Sequence, residues 1–229
     1  MRHLFILVSV LAISAAAQAS HTHNGWLQLH ISTIHDNNGT ATTPGSLDED
    51  YCVSSHTSAV STTALGNFIE NVLTKRTGQM WDGAAGWNVD LWRTAKKCED
   101  YPAAERAAIG TEYHVADAWP NVPLCGNTTY SCTVLSKPTI DPTGKHQHYE
   151  WAVVHFQARH VSGLDERARS FINHETGHVL GLRDPASFGG DCEESVMHNG
   201  LYGCTAFNYV TYPTARDLAS VARISRRQN

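Results

Sequence analysis

The sequence predicts an α+β fold, in which amphipathic helices pack on a β-sheet. Apolar residues recur at helical spacing over residues 61–81 and again over residues 164–182, which predicts two amphipathic helices. Residues 151–156 form a compact run of β-type side chains, which predicts a strand. The chain has 229 residues, of which 41% are hydrophobic, so it can bury a core as one folding unit.

The N-terminal segment has the pattern of a secretory signal peptide. A basic start precedes the apolar run 4–13, and Ala17 and Ala19 satisfy the small-x-small rule for cleavage. An uncleaved membrane anchor would need roughly 20 apolar residues, about twice the length of this run. We therefore expect residues 1–19 to be removed and the product to be secreted and extracellular, with no membrane partner. The formal net charge of −5 argues against a nucleic-acid partner.

The cysteines agree with an extracellular location. There are six, and none belongs to a Cys-x-x-Cys pair, so three disulfides are the simplest account. Two pairs are close in sequence and bracket loop-like residues, namely Cys125 with Cys132 and Cys192 with Cys204. This leaves Cys52 to pair with Cys98. In the alternative, Cys52 is a free thiolate that silences a metal in a zymogen, which would leave an odd thiol elsewhere.

The upstream half carries fewer signals. Residues 20–58 are rich in Thr, Ser, Asn, His and Gly, and only residues 26–31 form an apolar run typical of a strand. That run is either a first strand or part of a propeptide, so we interpret residues 20–58 as an N-terminal extension or propeptide. The helix predicted over residues 61–81 then follows, with the apolar positions Leu65, Phe68, Ile69, Val72 and Leu73. Residues 99–148 hold mainly turn signals.

The second helix is predicted over residues 164–180. Ser162 and Asp165 form a Ser-x-x-acid pattern, which caps a helix by satisfying its first free backbone N–H groups. At about 100° per residue, one arc of this helix collects the apolar side chains. These are Leu164, Ala168, Phe171, Ile172, Val179 and Leu182. Glu175 lies in the same arc, where a carboxylate is costly to bury unless it is paired or near a cation.

Two histidines border this arc and predict a metal site. His174 and His178 are one turn apart on the same side of the helix, a spacing at which two imidazoles hold one metal. The helix is expected to end at Gly181, because a residue without Cβ can turn the chain back sharply. Asp184 then arrives from the turn as a third ligand. Two histidines and one carboxylate make a zinc site whose fourth position stays open for water.

Such a site predicts a reaction. Zinc lowers the pKa of the water it holds toward neutrality. Glu175 is adjacent to a ligand and can take the proton of that water as it attacks a carbonyl carbon. The sequence therefore predicts hydrolysis of peptide bonds by a zinc-bound water, with Glu175 as general base.

The stretch HETGHVLGLRD, residues 174–184, resembles the metzincin pattern His-Glu-x-x-His-x-x-Gly-x-x-His/Asp. The Asp in the last place is similar to the snapalysin family of small secreted metalloproteases from actinomycetes. Residues 193–197 are similar to the Met-turn of these enzymes, and residues 212–217 are similar to the start of their final helix. The resemblance covers about residues 150–225, with the motifs in order.

The resemblance implies a role for each matching residue. His174, His178 and Asp184 would hold one catalytic zinc ion (Zn2+), Glu175 would be the general base, and Met197 would lie beneath the metal as a structural residue. It also implies that Cys192 pairs with Cys204. The substrates would be proteins or peptides, and a monomer is the simplest expectation. Loops that contain Asp leave room for Ca2+, but none forms a defined calcium-loop motif.

The resemblance also implies a fold for residues 59–229, as the catalytic domain. We expect a mixed twisted sheet backed by the first helix, the active-site helix at the floor of a cleft, and an irregular C-terminal part that ends in a helix. Residues 151–156 would be the edge strand along which an extended substrate lies. In that last helix, Pro213 fits a first helical turn, and the helix itself needs no function beyond packing.

The sequence lacks a tyrosine that some metzincins place near the metal, and residues 185–190 after the third ligand contain none either. Some metzincins carry a tyrosine two residues after the Met-turn methionine, where this chain has Asn199. Stabilisation of the developing oxyanion would then come from the zinc itself or from His198, Tyr202 or Tyr209.

Two other function classes stay open. The first is a secreted protein that keeps the zinc site as a structural element and holds a peptide without cutting it, against which an intact Glu175 argues. The second is a hydrolase of the aspzincin group, which takes its Asp ligand from a more distant motif, whereas Asp184 stands at the metzincin offset. The histidines around the strand, His146, His148, His155 and His160, are interpreted as solvated or core residues.

Overall fold

A computed structural model gives an α+β architecture. The residues it describes are 30–31, 47–75, 80–82, 89–106, 109–118, 131–135, 139–140, 147–149, 151–182, 184, 195–198 and 210–226. The predicted signal peptide, residues 1–19, lies outside them. In the described part of the chain, no helix combines the length and the apolar character needed to cross a membrane.

The described residues form eight strands and five α-helices. The strands are β1 (His30–Ile31), β2 (Leu47–His56), β3 (Val89–Arg93), β4 (Thr111–Ala116), β5 (Ser131–Leu135), β6 (Thr139–Ile140), β7 (Gln147–Tyr149) and β8 (Ala152–Gln157). The α-helices are α1 (Thr62–Thr74), α2 (Ala103–Arg106), α3 (Ala158–Val161), α4 (Glu166–Val179) and α5 (Ala215–Arg226). Two short 3₁₀-helices span Cys98–Asp100 and Val196–His198.

The main sheet has five strands in the order β3-β2-β4-β8-β5. Strand β2 pairs in parallel with β3 and β4, and β4 pairs in parallel with β8. Strand β5 pairs with β8 in the antiparallel direction, so the sheet is mixed, as predicted. A second, three-stranded sheet has the order β1-β7-β6 and was not expected from the sequence.

The edge-strand assignment is wrong. Residues 151–156 do form a strand, but β8 is bonded on both sides, to β4 and to β5. Strand β5 stands at the end of the sheet order, and all of its residues are buried. Residues 131–135 were not predicted as a strand, because polar side chains alternate there between turn signals, as they do in loops.

Strand β2 lies within the segment that the sequence left as an extension or propeptide. It pairs with two neighbours in the sheet, and Cys52 on it forms a disulfide with Cys98, with a Cα–Cα distance of 5.1 Å. Residues 47–56 therefore belong to the sheet, and the question of a propeptide concerns residues 20–46.

The disulfide between Cys52 and Cys98 confirms the predicted pair. Cys132 is also disulfide-bonded. Its predicted partner, Cys125, lies outside the described residues, as do both members of the predicted Cys192–Cys204 pair.

Helix α1 confirms the first helical prediction but ends earlier. Ser61 caps it by accepting a hydrogen bond from the Ala64 backbone N–H at 3.1 Å. The buried face packs against strand β2 and includes Leu65, Ile69, Val72 and Leu73. The helix ends at Thr74, so the predicted continuation to residue 81 is wrong.

Helix α4 begins later than predicted. Its N-cap is Asp165, whose carboxylate accepts a hydrogen bond from the Ala168 N–H at 3.0 Å. Ser162 instead ends helix α3, and Leu164, with a φ of 48°, separates the two helices. The carboxylate cap prevails because Asp165 is in the extended conformation that an N-cap requires.

The two faces of the main sheet carry different packing. Successive strand residues point to opposite faces. Tyr51 belongs to the main core with α1 and α4, whereas Cys52 belongs to a small separate cluster with Cys98 and Ile109. The helices and the disulfide therefore lie on opposite sides of the sheet.

Candidate metal centre

The structure brings the three predicted metal ligands together. The Nε2 atoms of His174 and His178 are 3.2 Å apart. Asp184 Oδ1 lies 3.4 Å from the His174 Nε2 and 3.5 Å from the His178 Nε2. Three donor atoms thus form a nearly equilateral triangle, with His178 the most exposed of the three side chains at 17%.

The second nitrogen of each ring is held by a backbone carbonyl. His174 donates from Nδ1 to the Val196 oxygen at 3.1 Å, and His178 donates from Nδ1 to the Leu182 oxygen at 2.9 Å. A carbonyl oxygen can only accept, so each Nδ1 carries a hydrogen. In the neutral ring, Nε2 then presents a lone pair toward the centre of the triangle. Such carbonyl contacts are the usual way in which a metal-binding histidine is oriented.

The triangle fits a tetrahedral ion. Zinc bound at about 2.0–2.1 Å in tetrahedral geometry separates its ligand atoms by about 3.3–3.4 Å. The observed separations of 3.2, 3.4 and 3.5 Å match this value. Three lone-pair atoms at such distances repel one another, and a cation between them removes the repulsion.

A second trio of metal-ligating residues does not form a comparable site. Cys52, Cys98 and Glu112 lie close together. The two sulfur atoms are bonded to each other, so neither is a thiolate. The alternative of a free Cys52 that silences the metal does not hold in this structure.

The turn after α4 aligns two of the ligands. Gly181 has a φ of 89°, the left-handed conformation predicted for this position. The Gly181 N–H donates to the His178 oxygen at 3.0 Å, and the Leu182 N–H donates to the Gly177 oxygen at 2.8 Å. These two bonds form a Schellman motif. The motif directs the Leu182 carbonyl back to His178 and starts the segment that delivers Asp184.

The predicted Met-turn lies against the same helix. Met197 is fully buried in the 3₁₀-helix Val196–His198. A Cβ built on Gly177 would overlap the Met197 Sδ. The thioether therefore packs directly on α4 at Gly177. The preceding residue, Val196, supplies the carbonyl that orients His174.

The Met-turn is anchored by Asp217 of helix α5. The buried carboxylate accepts hydrogen bonds from the Ser195 hydroxyl and, at 2.9 Å, from the Val196 N–H. It also accepts from the Thr214 N–H at 2.8 Å, while Thr214 Oγ1 accepts from the Asp217 N–H at 3.3 Å. These reciprocal bonds make a capping box.

Helix α5 therefore has a role that the sequence reasoning missed. It was expected to contribute packing only, with Pro213 in its first turn. The helix begins at Ala215, beyond the capping Thr214, and its first turn holds the Met-turn in place. The Thr-x-x-Asp spacing from residue 214 to residue 217 was the available signal.

Glu175, the predicted base, is buried beside strand β5. Its Oε1 accepts from the Ser131 hydroxyl at 2.5 Å, and its Oε2 accepts from the Thr133 hydroxyl at 2.5 Å. Only 3% of the Glu175 residue is exposed. The sequence reasoning did not find either hydroxyl, because residues 99–148 were interpreted as turns, although positions two apart share one face of a strand.

Further hydrogen bonds join α4 to strand β4 and to two segments outside the sheet. The Trp81 indole donates to the Asn173 carbonyl at 3.1 Å, and the Asn173 amide donates to the Thr211 carbonyl at 2.7 Å. Thr176 donates to the Ile172 carbonyl at 2.7 Å, so the Tyr113 hydroxyl, 2.9 Å away, donates to Thr176. Buried polar groups paired in this way hold the helix in one position.

The environment of His174 favours a metal ligand. Burial lowers the pKa of His174 below its ordinary value, and the Asp184 carboxylate opposes that shift. A lowered pKa keeps the imidazole neutral, which is the form that binds a metal.

Several residues considered as oxyanion stabilisers have no described side chain. Tyr202 and Tyr209 lie outside the described residues, as does Asn199. His198 ends the Met-turn 3₁₀-helix, but its side chain is not among those described.

Comparisons of the chain with protein-family models, with curated proteins and with solved structures find no match. A function for this centre must therefore be argued from its own geometry.

Proposed function

We propose that this chain is a secreted, zinc-dependent endopeptidase of the metzincin type, similar to the snapalysin family. The observation that supports the proposal best is the donor triangle of His174, His178 and Asp184, with separations of 3.2–3.5 Å. Two of its three donors are oriented by backbone carbonyls. Glu175, a carboxylate that ligates nothing in the triangle, follows the first ligand directly in the chain.

The donor set favours catalysis over a purely structural zinc site. Structural sites are closed by four protein ligands, whereas catalytic sites have three and keep one position for water. The described part of the chain brings three ligands to this point. A zinc ion held there supplies a Lewis acid, which polarises a carbonyl and lowers the pKa of water.

The protein residues would transfer the proton and orient the metal ligands. Glu175 accepts the proton of the attacking water at a carboxylate oxygen and can pass it to the leaving amine. The carbonyls of Val196 and Leu182 keep each imidazole in the tautomer that presents Nε2. Helix α5 holds the first of these carbonyls in place, because Asp217 accepts a hydrogen bond from the Val196 N–H.

The mixed sheet is compatible with this function, but it changes which strand is expected to lie along the substrate. The resemblance places an extended substrate along residues 151–156, which lie inside the sheet. Strand β5 stands at the end of the sheet order and contacts Glu175. We therefore place the substrate-facing side of the proposed cleft at β5.

The test is cleavage of unfolded casein by the purified protein, with any segment upstream of residue 47 removed in a parallel sample. A Glu175→Ala variant should keep its fold and one zinc per chain but lose activity by several orders of magnitude, because the base is absent. Glu166→Ala is the matched control, since Glu166 is an exposed glutamate on the same helix. It should retain activity.

Two results would contradict the proposal. If zinc-loaded wild type and Glu175→Ala both fail to cut, with and without the upstream segment, a zinc-bound peptide-binding protein becomes the better account. If wild type and Glu175→Ala cut equally well, the hydrolysis does not use Glu175, and the proposed mechanism is wrong.

A further inference from the structure

Two hydroxyl groups on strand β5 hold the carboxylate of Glu175. Ser131 and Thr133 are two residues apart, so they share one face of the strand. That face meets α4, and the two residues are only 9% and 2% exposed. Each donates to a different carboxylate oxygen, Ser131 to Oε1 and Thr133 to Oε2, both at 2.5 Å.

This arrangement orients the carboxylate. Each oxygen of an ionised carboxylate offers about two lone-pair positions. One position on each oxygen is taken by a hydroxyl of β5, so the remaining positions have a fixed direction. Hydrogen bonds to an ionised acceptor are also roughly twice as strong as neutral ones, which holds the side chain in one rotamer.

The hydroxyl of Thr133 has a second acceptor within reach. Its Oγ1 lies 3.3 Å from the backbone carbonyl oxygen of Glu175, in addition to the contact with Oε2. A hydroxyl has one hydrogen and two lone pairs. That one hydrogen goes to Oε2, the nearer acceptor, and the contact with the carbonyl is the longer of the two.

We propose that Ser131 and Thr133 are positioning residues for the base. The inference depends on the endopeptidase proposed above. Apolar side chains would fill the space between β5 and α4 equally well, and buried hydroxyls are costly without partners. The placement of both on one carboxylate therefore points to control of that group.

The kinetic test replaces the hydroxyl while keeping the shape. Thr133→Val removes the oxygen, and kcat for a peptide substrate should fall roughly 10- to 100-fold, with KM within about twofold and zinc content unchanged. Thr133→Ser restores the hydroxyl and should recover kcat to within about threefold of wild type. Thr111→Val, at another buried threonine of the main sheet, is the control and should leave kcat unchanged.

A second variant guards against misfolding of Thr133→Val. Ser131→Ala removes a single oxygen from the same face and should also lower kcat without a change in KM. The inference is overturned if both variants retain the wild-type kcat, or if Thr133→Ser is as slow as Thr133→Val.

A spectroscopic test does not depend on activity. The infrared difference between the metal-free protein and its Glu175→Gln variant isolates the carboxylate bands of Glu175. The same difference measured in the Thr133→Val background should show these bands shifted, because one hydrogen bond is lost. Unshifted bands would overturn the positioning role. If wild type does not cut any peptide while the bands shift, the endopeptidase fails and the hydroxyl contacts stand.

Discussion

Gly177 is the point at which helix α4 meets Met197. A Cβ at this position would overlap Met197 Sδ and approach Trp81 at 3.4 Å. Both neighbours are fully buried, so neither can move aside freely.

Gly177→Ala should therefore destabilise the protein and weaken zinc binding. Alanine is the better helix former by about 1 kcal/mol, but overpacking a buried contact typically costs about 1–3 kcal/mol. Differential scanning calorimetry of the zinc-loaded protein and a competitive zinc titration would measure the two effects. We expect a lower Tm and a weaker zinc affinity.

Gly66→Ala provides the matched control, because Gly66 is also a buried helical glycine. There the added Cβ meets only the end of the flexible Arg93 side chain. Its stability should stay level or rise. An equal loss of Tm in both variants would show that the contact with Met197 is not the cause.

At the same scale, the proximity of the three candidate ligands could be predicted from the sequence, whereas the residues that support them could not. His174 and His178 are one helical turn apart, and Asp184 follows a glycine that ends the helix, so local geometry alone brings them together. Ser131 and Thr133 are 42 or more residues from Glu175 in the chain. Such contacts depend on how strand β5 packs on α4, which no local pattern contains.

Helix α5 acts on the metal site through a chain of two contacts. Asp217 binds the Met-turn, and the Met-turn carbonyl of Val196 binds His174. Asp217→Ala should lower the free energy of unfolding by roughly 2–4 kcal/mol, because buried donors of Ser195, Val196 and Thr214 lose their acceptor. Zinc affinity should fall with it.

Thr214→Ala separates capping from anchoring. It removes one side of the capping box, at a cost of about 1 kcal/mol, and leaves the Asp217 contacts to the Met-turn in place. Denaturant unfolding and zinc titration of both variants would decide. Zinc affinity lost equally in Thr214→Ala and Asp217→Ala would mean that α5 acts through its own stability.

The type of an element could be predicted from the sequence more reliably than its first and last residues. The period of apolar residues identified α1 and α4, yet α1 stops at Thr74 and α4 starts after Asp165. Caps decide helix ends, and two acceptable caps stood three residues apart at Ser162 and Asp165. The cap that reached a free N–H in an extended conformation prevailed.

At the scale of the molecule, the disulfide and the candidate metal site lie on opposite faces of the main sheet. The Cys52–Cys98 bond closes a sequence separation of 46 residues, for which the chain-entropy model gives about 4 kcal/mol. Replacing both cysteines by alanine should lower Tm by a corresponding amount while zinc stoichiometry stays unchanged.

Removal of the zinc and removal of this disulfide should act additively. Sites without shared partners usually add within about 0.5 kcal/mol. The test is a thermodynamic cycle with four states. The free energy of unfolding is measured for the wild type and the cysteine variant, each with and without a chelator. A coupling well above that value would mean that the sheet transmits strain between its faces.

The order of the strands was beyond sequence reasoning because register and neighbours are set by long-range packing. Strand β8 is strongly apolar and was interpreted as the edge, whereas its burial reflects pairing on both sides. Strand β5, with its alternating hydroxyl side chains, is the strand that contacts Glu175.

The turn at Gly181 needs a left-handed backbone conformation, and this turn brings two candidate ligands together. Its φ of 89° lies where an L-residue pays a steric penalty, roughly 1–2 kcal/mol, and a D-residue does not. A semisynthetic chain with D-alanine at this position should accept the same turn, whereas L-alanine opposes it. The chirality of one residue thus decides whether His178 and Asp184 face the same point.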